Sequence, residues 1–278
     1  MASRLLVAVV LAIVSAGCGS AGEGADAGPD GSDGSPDSSP DGGNAINEPT
    51  CAASGALIHQ DDFEGYSGKV GAPWAATPTG ISLTTGRNSA QAVRATYTPI
   101  DYSPAISLDF GGERLHVAVS YWFRVDPGFE PALDDPTGSG MKWFTMWRPT
   151  QPRQTWGVGA LGAADVHHEN FATHDNSSPD MPNGAGAVVG ETVSAAGAWE
   201  TVNDGAWHRY TIEAYTGTGT DGFERCWVDG VLLFDSSGTH YTRSTEGFDL
   251  VVFPSDMVSA PAATHTVDID DFVACSIE

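Results

Sequence analysis

Basic residues are scarce in this sequence. Only 12 of its 278 residues are lysine or arginine, against 36 aspartates and glutamates, and the formal net charge is −24. The two lysines are Lys69 and Lys142. Such a chain repels phosphate backbones and anionic lipid headgroups. We therefore expect no nucleic-acid partner, and contact with a membrane only through a lipid anchor.

Cysteines are few, and helical patterns are weak. The four cysteines are Cys18, Cys51, Cys226 and Cys275, and their spacing lacks the C-x-x-C pairs that are typical of zinc sites. The apolar stretch at 5–14 is too short to cross a bilayer as a permanent helix. The sequence therefore argues against a sulfur-bound metal and against a helical domain.

The first residues predict export. Arg4 precedes the apolar stretch, and the sequence Ser-Ala-Gly-Cys at 15–18 resembles a bacterial lipoprotein cleavage site, although Ser15 stands where leucine is usual. We expect residues 1–18 to be a signal peptide and Cys18 to be the lipidation site. The alternative is cleavage by an ordinary signal peptidase. The expected location is the cell surface or outer membrane, or the medium if Cys18 is not lipidated.

Residues 19–50 have the composition of a linker. They are almost wholly glycine, alanine, aspartate, serine and proline, with seven acidic residues, no lysine or arginine and no aromatic residue. Such a segment cannot bury a core, and its charges repel one another. We expect a disordered tether between the N-terminal segment and one domain at 51–278.

The rest of the chain reads as many short strands. Gly- and Pro-rich turns separate alternating stretches, and this pattern predicts an all-β sandwich of two antiparallel sheets. We expect it to be a monomer. The predicted strands are Ala56–Gln60, Gly80–Thr85, Ala92–Tyr97, Ala105–Phe110, Leu115–Val125, Met141–Arg148, Trp156–Leu161, Trp207–Tyr215, Phe223–Phe234, Gly247–Phe253 and His265–Cys275.

Three of these strands place tryptophan and arginine on one side. In Leu115–Val125 the valines and aromatic residues at odd positions form an apolar face, and in Trp207–Tyr215 the apolar face begins at His208. Indole faces stack on sugar rings, and guanidinium groups bind sugar hydroxyls or uronate carboxylates. The alternative is that these residues only cover the sheet. We call the set the aromatic–arginine face: Trp122, Arg124, Trp207, Arg209, Arg225 and Trp227.

The strand Met141–Arg148 has two possible phases. In one, Phe144 and Met146 face the core, while Trp143 and Trp147 face outward. In the other, the two tryptophans are buried and Lys142 is displayed with Arg148. The first phase is slightly favoured. A lysine on a strand of so acidic a protein is a candidate functional residue, and a salt bridge to a carboxylate is the alternative.

Three motifs carry a family resemblance. The strand with Trp207-His208 followed by R-x-W-V-D-G at 225–230, the first strand with DDFEGY at 61–66, and HTVDIDDFVAC at 265–275 resemble the concanavalin A-like lectin/glucanase superfamily, in its laminin-G-like or polysaccharide-lyase-like forms. This resemblance implies a two-sheet antiparallel jelly-roll sandwich over residues 55–278. It says more about fold than about activity.

The resemblance also implies that the first and last strands are neighbours. In jelly-roll sugar binders such strands flank a structural calcium, and here Asp62, Glu64 and Asp271 are the oxygen ligands that we prefer. The alternative is an ordinary exposed strand end. Adjacent end strands would also bring Cys51 to Cys275 as a disulfide, leaving Cys226 as a buried thiol.

Function is harder to predict. The Glu-x-Asp-x-x-Glu motif of the related glycoside hydrolases is missing. A non-catalytic polysaccharide-binding protein needs only the aromatic–arginine face, and this is the function that we predict. The alternative is a polysaccharide lyase that cleaves uronate-containing glycans by β-elimination. Its catalytic candidates are Lys142, Arg148 and, in the long insertion at 162–202, His168.

Overall fold

The fold is built from β-strands. The computed structural model describes residues 46–51, 55–130, 141–147, 155–162, 169–175, 188–189, 201–216, 222–235, 247–254, 257 and 260–277. Within these ranges the chain forms fifteen strands in two antiparallel sheets. None of the residues in these ranges belongs to a helix long and apolar enough to span a membrane. The prediction of an all-β, two-sheet jelly-roll sandwich is confirmed.

The strands follow one another along the whole of the described chain. They are β1 (Gly55–Asp61), β2 (Trp74–Ala76), β3 (Ile81–Thr84), β4 (Ala92–Tyr97), β5 (Ile106–Arg114), β6 (His116–Val125), β7 (Met141–Trp147), β8 (Thr155–Gly162), β9 (Glu169–Asp175), β10 (Val188–Val189), β11 (Trp207–Tyr215), β12 (Phe223–Val228), β13 (Val231–Asp235), β14 (Phe248–Phe253) and β15 (His265–Ile277).

Each sheet draws strands from distant parts of the chain. The first sheet has the order β13-β12-β11-β6-β15-β4-β3, and β1 pairs with the C-terminal half of β15. The second sheet has the order β10-β9-β8-β7-β14-β5-β2. The first and last strands are therefore neighbours, as the sequence motifs predicted.

Strict alternation along β6 explains how the first sheet meets the core. Val117, Val119, Tyr121, Phe123 and Val125 are all fully buried and belong to the core between the sheets. Burying an apolar side chain of this size stabilises the fold by about 1.5–3 kcal/mol. The other face of β6 is therefore left to point outward, and this is the face that carries tryptophan and arginine.

The β12–β13 hairpin turns at Asp229-Gly230. Both residues have positive φ, 50° and 80°, which is the backbone geometry of a two-residue type I′ turn. Glycine adopts this conformation without strain, and aspartate tolerates it better than most residues. The turn divides the predicted strand Phe223–Phe234 into β12 and β13.

The strand β7 combines the two phases that its sequence allowed. Phe144 and Met146 lie in the core, as the favoured phase requires, but Trp143 is also fully buried there. A register shift between Lys142 and Phe144, opposite β8, makes this possible, because an extra residue at a bulge reverses the alternation. The expectation that Trp143 faces outward is therefore wrong.

A disulfide joins the N-terminal edge of the domain to its last strand. Cys51 and Cys275 are bonded, with their Cα atoms 5.5 Å apart, and the loop that they close spans 224 residues. Cys226 is buried and unpaired, and burial raises the pKa of its thiol well above the usual value. Both features were predicted from the resemblance, and both are confirmed.

The folded unit begins slightly before its predicted boundary. The compact unit starts at Ile46, so residues 46–50, which the composition assigned to the linker, belong to it. We call residues 46–51 the N-terminal strap. Cys18 lies outside the described residues.

Candidate functional site

The aromatic–arginine face is assembled on three neighbouring strands. In the register of β11 with β6, Trp207 lies opposite Arg124, and Arg209 lies opposite Trp122. Residues opposite each other in an antiparallel pair share a face of the sheet. Arg225 and Trp227 continue the same face on β12. The structure therefore brings together all six residues that the sequence singled out.

At one end of this face, a buried carboxylate holds two arginines. Asp268 of β15 is almost fully buried and accepts hydrogen bonds from Arg124 at 2.5 and 3.1 Å, and from Arg94 at 2.6 and 2.9 Å. The bonds to Asp268 raise the pKa of Arg94. Arg124 also lies over the Trp207 ring, 4.8 Å from its centroid. The guanidinium of Arg124 is therefore already paired within the protein.

Arg225, on β12, also pairs with carboxylates of the protein. It donates to Asp235 at 3.1 Å and to Glu213 at 3.3 Å, and its guanidinium lies 4.1 Å from the centroid of the Phe223 ring. Glu213 also contacts His116 at 2.9 Å. This second cluster joins β6, β11, β12 and β13 by charge-assisted contacts.

The tryptophans of the face are covered to different degrees. Arg87 lies 3.5 Å from the centroid of the Trp122 ring, which is a close cation–π contact. Trp227 is only 1% exposed. A sugar ring needs an open indole face on which to stack. The burial of Trp227 therefore argues against the stacking role that the sequence predicted for it.

One lyase candidate, Lys142, lies in a different part of the fold. Lys142 is the second residue of β7, its backbone pairs with Gly159 of β8, and β14 flanks the strand on the other side. This places Lys142 on a central strand of the second sheet. Arg148 and His168 lie outside the described residues.

The proposed calcium ligands are neighbours where the end of β1 lies beside the middle of β15, since Asp61 pairs with Phe272. The amide N–H of Glu64 donates to Asp62, and the carboxylate of Glu64 accepts from the amide N–H of Gln91. Burial, followed by the charge of Asp270, raises the pKa of Asp271, and the charges of Asp62 and Glu64 add to the effect.

These carboxylates are close enough to repel one another, and an oxygen-seeking cation would relieve that repulsion. Among the residues that the structure describes, however, no three histidine, cysteine or acidic side chains are gathered to hold a metal ion. Calcium here stays a prediction.

His208, which the sequence placed on the core side of β11, contacts two carboxylates. His208 contacts Asp229 through Nδ1 at 2.7 Å and Asp204 through Nε2 at 3.1 Å. Burial lowers its pKa, but the two carboxylates outweigh burial and raise it. The Asp-Gly turn was the available signal, because it brings Asp229 beside the start of β11.

Comparisons with known proteins identify the fold. No protein-family model matches the sequence, and no curated protein does either. Among solved structures, alginate lyase Aly36B matches with a TM-score of 0.54 and 13% identity, covering 79% of this chain and 97% of that one. The chain therefore shares the two-sheet jelly-roll fold of that protein.

Two further solved structures resemble the chain to the same degree. The endo-β-1,4-glucuronan lyase of the fungus Trichoderma reesei has a TM-score of 0.51 and 11% identity, covering 83% of this chain and 94% of that one. Cellulose induced protein Cip1 has a TM-score of 0.54 and 16% identity, with 78% and 97% covered. Two variants of Aly36B, each with a lysine-to-alanine substitution, are solved with alginate tri- and tetrasaccharide.

Proposed function

We propose that this protein acts on a uronate-containing polysaccharide and cleaves it by β-elimination. Two of the similar structures described above are lyases of alginate and glucuronan, both uronate polymers, and the similarity covers almost their whole length. The observation that carries the proposal is the contrast between the two sheets. Arginines on the outer face of the first sheet contact internal carboxylates, whereas a central strand of the second sheet carries Lys142.

The sequence alone favoured a binding protein over a lyase, and we now favour the lyase. A binding protein was predicted from the aromatic–arginine face, but the partners of Arg124 and Arg225 and the burial of Trp227 reduce what that face offers to a sugar. Polysaccharide remains the proposed partner. The second sheet becomes the proposed working surface.

The chemistry requires three groups. A cation neutralises the uronate carboxylate, so that the proton on C5 becomes acidic enough to remove. A base takes this proton, the C5–H electrons form a C4=C5 double bond, and the C4–O bond breaks as an acid protonates the leaving oxygen. We assign the cation to Lys142, and we assign Arg148 and His168 to carboxylate binding and proton transfer.

The test follows from the product. Each cleavage creates a double bond conjugated with the carboxylate, so alginate or glucuronan incubated with the protein gains near-ultraviolet absorbance. We expect Lys142→Ala to lower the rate by about 100-fold or more, since charge neutralisation at the reacting centre contributes on this scale. Lys69→Ala replaces the other lysine of the chain, which is exposed, and should leave the rate unchanged.

Two results would contradict the proposal. If the polymer is bound without any gain in absorbance, the protein is a binding protein, as the sequence first favoured. If the rate of Lys142→Ala equals that of Lys69→Ala, the assignment of the cation is wrong.

A further inference from the structure

The N-terminal strap carries a carboxylate onto the outer face of the first sheet. Glu48 accepts hydrogen bonds from the guanidinium of Arg209 and from the hydroxyl of Thr211, two outward residues of β11. The Glu48 side chain is 13% exposed, although it belongs to a segment with the composition of a linker. The contact is therefore a specific one.

The groups that receive Glu48 form a small polar site. Thr211 lies opposite Ser120 of β6, and the two hydroxyl oxygens are 2.9 Å apart. Thr211 is almost fully buried, while Arg209 is 39% exposed. One guanidinium and two hydroxyls, fixed on adjacent strands, suit a carboxylate that carries neighbouring hydroxyl groups.

The strap does not pack tightly against this site. A cavity of about 170 Å³ lies between them, lined by residues 48–51 of the strap and by Ser120, Arg209 and Thr211 of the sheet. Close packing, as in a protein core, leaves few voids larger than a water molecule. The strap is thus held at this site by polar contacts beside a cavity.

The partner of Arg209 also differs in origin from those of the other arginines on this face. Arg124 pairs with Asp268 of β15, and Arg225 pairs with Glu213 of β11 and Asp235 of β13. These carboxylates are fixed in the same sheet. Glu48 precedes β1, and its segment is tied to the sheet covalently at Cys51, three residues further along the chain. It can leave Arg209 without disturbing a strand.

We propose that Arg209, Thr211 and Ser120 form a second carboxylate-binding site, and that Glu48 occupies it in the free protein. The ligand class is a uronic acid, whose carboxylate replaces that of Glu48 on Arg209 while its hydroxyls meet Ser120 and Thr211. Because Glu48 is attached to the same chain, it competes at a high effective concentration. The strap is therefore an internal competitor, and uronates bind weakly until it is displaced.

This site lies on the opposite sheet from Lys142, so it can be tested without any cleavage. Binding of sodium glucuronate, a monosaccharide with no bond to cleave, is measured by titration calorimetry on the full chain. We expect Glu48→Gln to bind at least tenfold more tightly than the wild type. Adding Arg209→Gln should abolish this gain. Glu23→Gln removes one negative charge from elsewhere in the N-terminal segment and should bind like the wild type.

Ligand controls separate the carboxylate from the sugar. Glucose lacks the carboxylate and should show no gain with Glu48→Gln, whereas acetate should gain less than glucuronate because it lacks the hydroxyls. The proposal is overturned if Glu48→Gln binds glucuronate no more tightly than the wild type, or if the gain survives Arg209→Gln. If Glu48→Gln does not fold, Glu48→Asp keeps the charge but shortens the side chain, and it must show a gain in the same direction.

Discussion

The two sheets of this sandwich use charge in different ways. On the outer face of the first sheet Arg94, Arg124, Arg209 and Arg225 each contact a carboxylate, so positive charge is neutralised within the protein. The second sheet carries Lys142 on β7, in a chain that has only one other lysine. A cluster of arginines on a surface therefore does not by itself mark a ligand site. Whether such arginines can bind a ligand depends on the carboxylates with which they already pair.

The largest loss of stability should come from removing the disulfide that joins Cys51 to the last strand of the first sheet. Replacing both Cys51 and Cys275 by serine removes the closure of a 224-residue loop, and the chain-entropy model predicts a loss of about 5 kcal/mol in unfolding free energy. Chemical denaturation measures this. The single variant Cys226→Ala leaves the disulfide intact and serves as the control. Equal stability of the double variant and the wild type would contradict the role given to the bond.

The next largest effect should come from the buried carboxylate of the first sheet. Asp268→Asn leaves Arg94 and Arg124 without their shared charge partner, and we expect a loss of about 3 kcal/mol. Asp235→Asn on the same face removes a more exposed partner of Arg225, and should cost less than about 1 kcal/mol. Similar losses for the two variants would show that burial does not separate the two clusters.

How far the sequence predicts these features depends on the range of the interactions. The sequence alone predicted that Trp122 and Arg124 face outward, because side chains alternate between the two faces of a strand and this pattern is local. That Asp268 would hold Arg124 was not, since the two are 144 residues apart and meet only through the pairing of β6 with β15. The strands β2 and β10 were also missed, because three and two residues are too few for an alternating pattern. The strand β9 was missed because it lies in the segment that was interpreted as a long insertion.

The arrangement of the calcium candidates could be predicted only in part, for a related reason. The motifs at 61–66 and 265–275 predicted that these acidic residues are neighbours, and the pairing of Asp61 with Phe272 brings the end of β1 beside the middle of β15. The directions of their side chains depend on local hydrogen bonds, such as those of Asp62 and Glu64, which composition does not encode.

The contacts of His208 with Asp204 and Asp229 make the stability of the fold depend on pH. Because the folded-state pKa of His208 is raised above its unfolded value, its stabilising effect is complete below about pH 6.5 and is lost as the pH rises through the folded pKa. We expect His208→Gln to lose about 1 kcal/mol at about pH 5.5, and less at about pH 9. Thermal unfolding at both values measures this, and a loss that grows with pH would contradict it.

Calcium should have the smallest effect on stability. The raised pKa of Asp271 means that its ionised form costs stability above its unfolded pKa, and a bound cation would offset this cost. We expect millimolar calcium to raise the melting temperature by about 3 °C, and Asp62→Asn to remove the rise. An unchanged melting curve after thorough chelation would eliminate the site.

The contrast between the two sheets is tested most directly by comparing one variant from each. Initial rates of unsaturated product formation from alginate and glucuronan are measured for the wild type, Lys142→Ala in the second sheet and Trp122→Ala in the first. The account predicts that Lys142→Ala loses about 100-fold or more, while Trp122→Ala stays within about twofold of the wild type. A large loss in Trp122→Ala with full activity in Lys142→Ala would contradict it and assign the substrate to the first sheet.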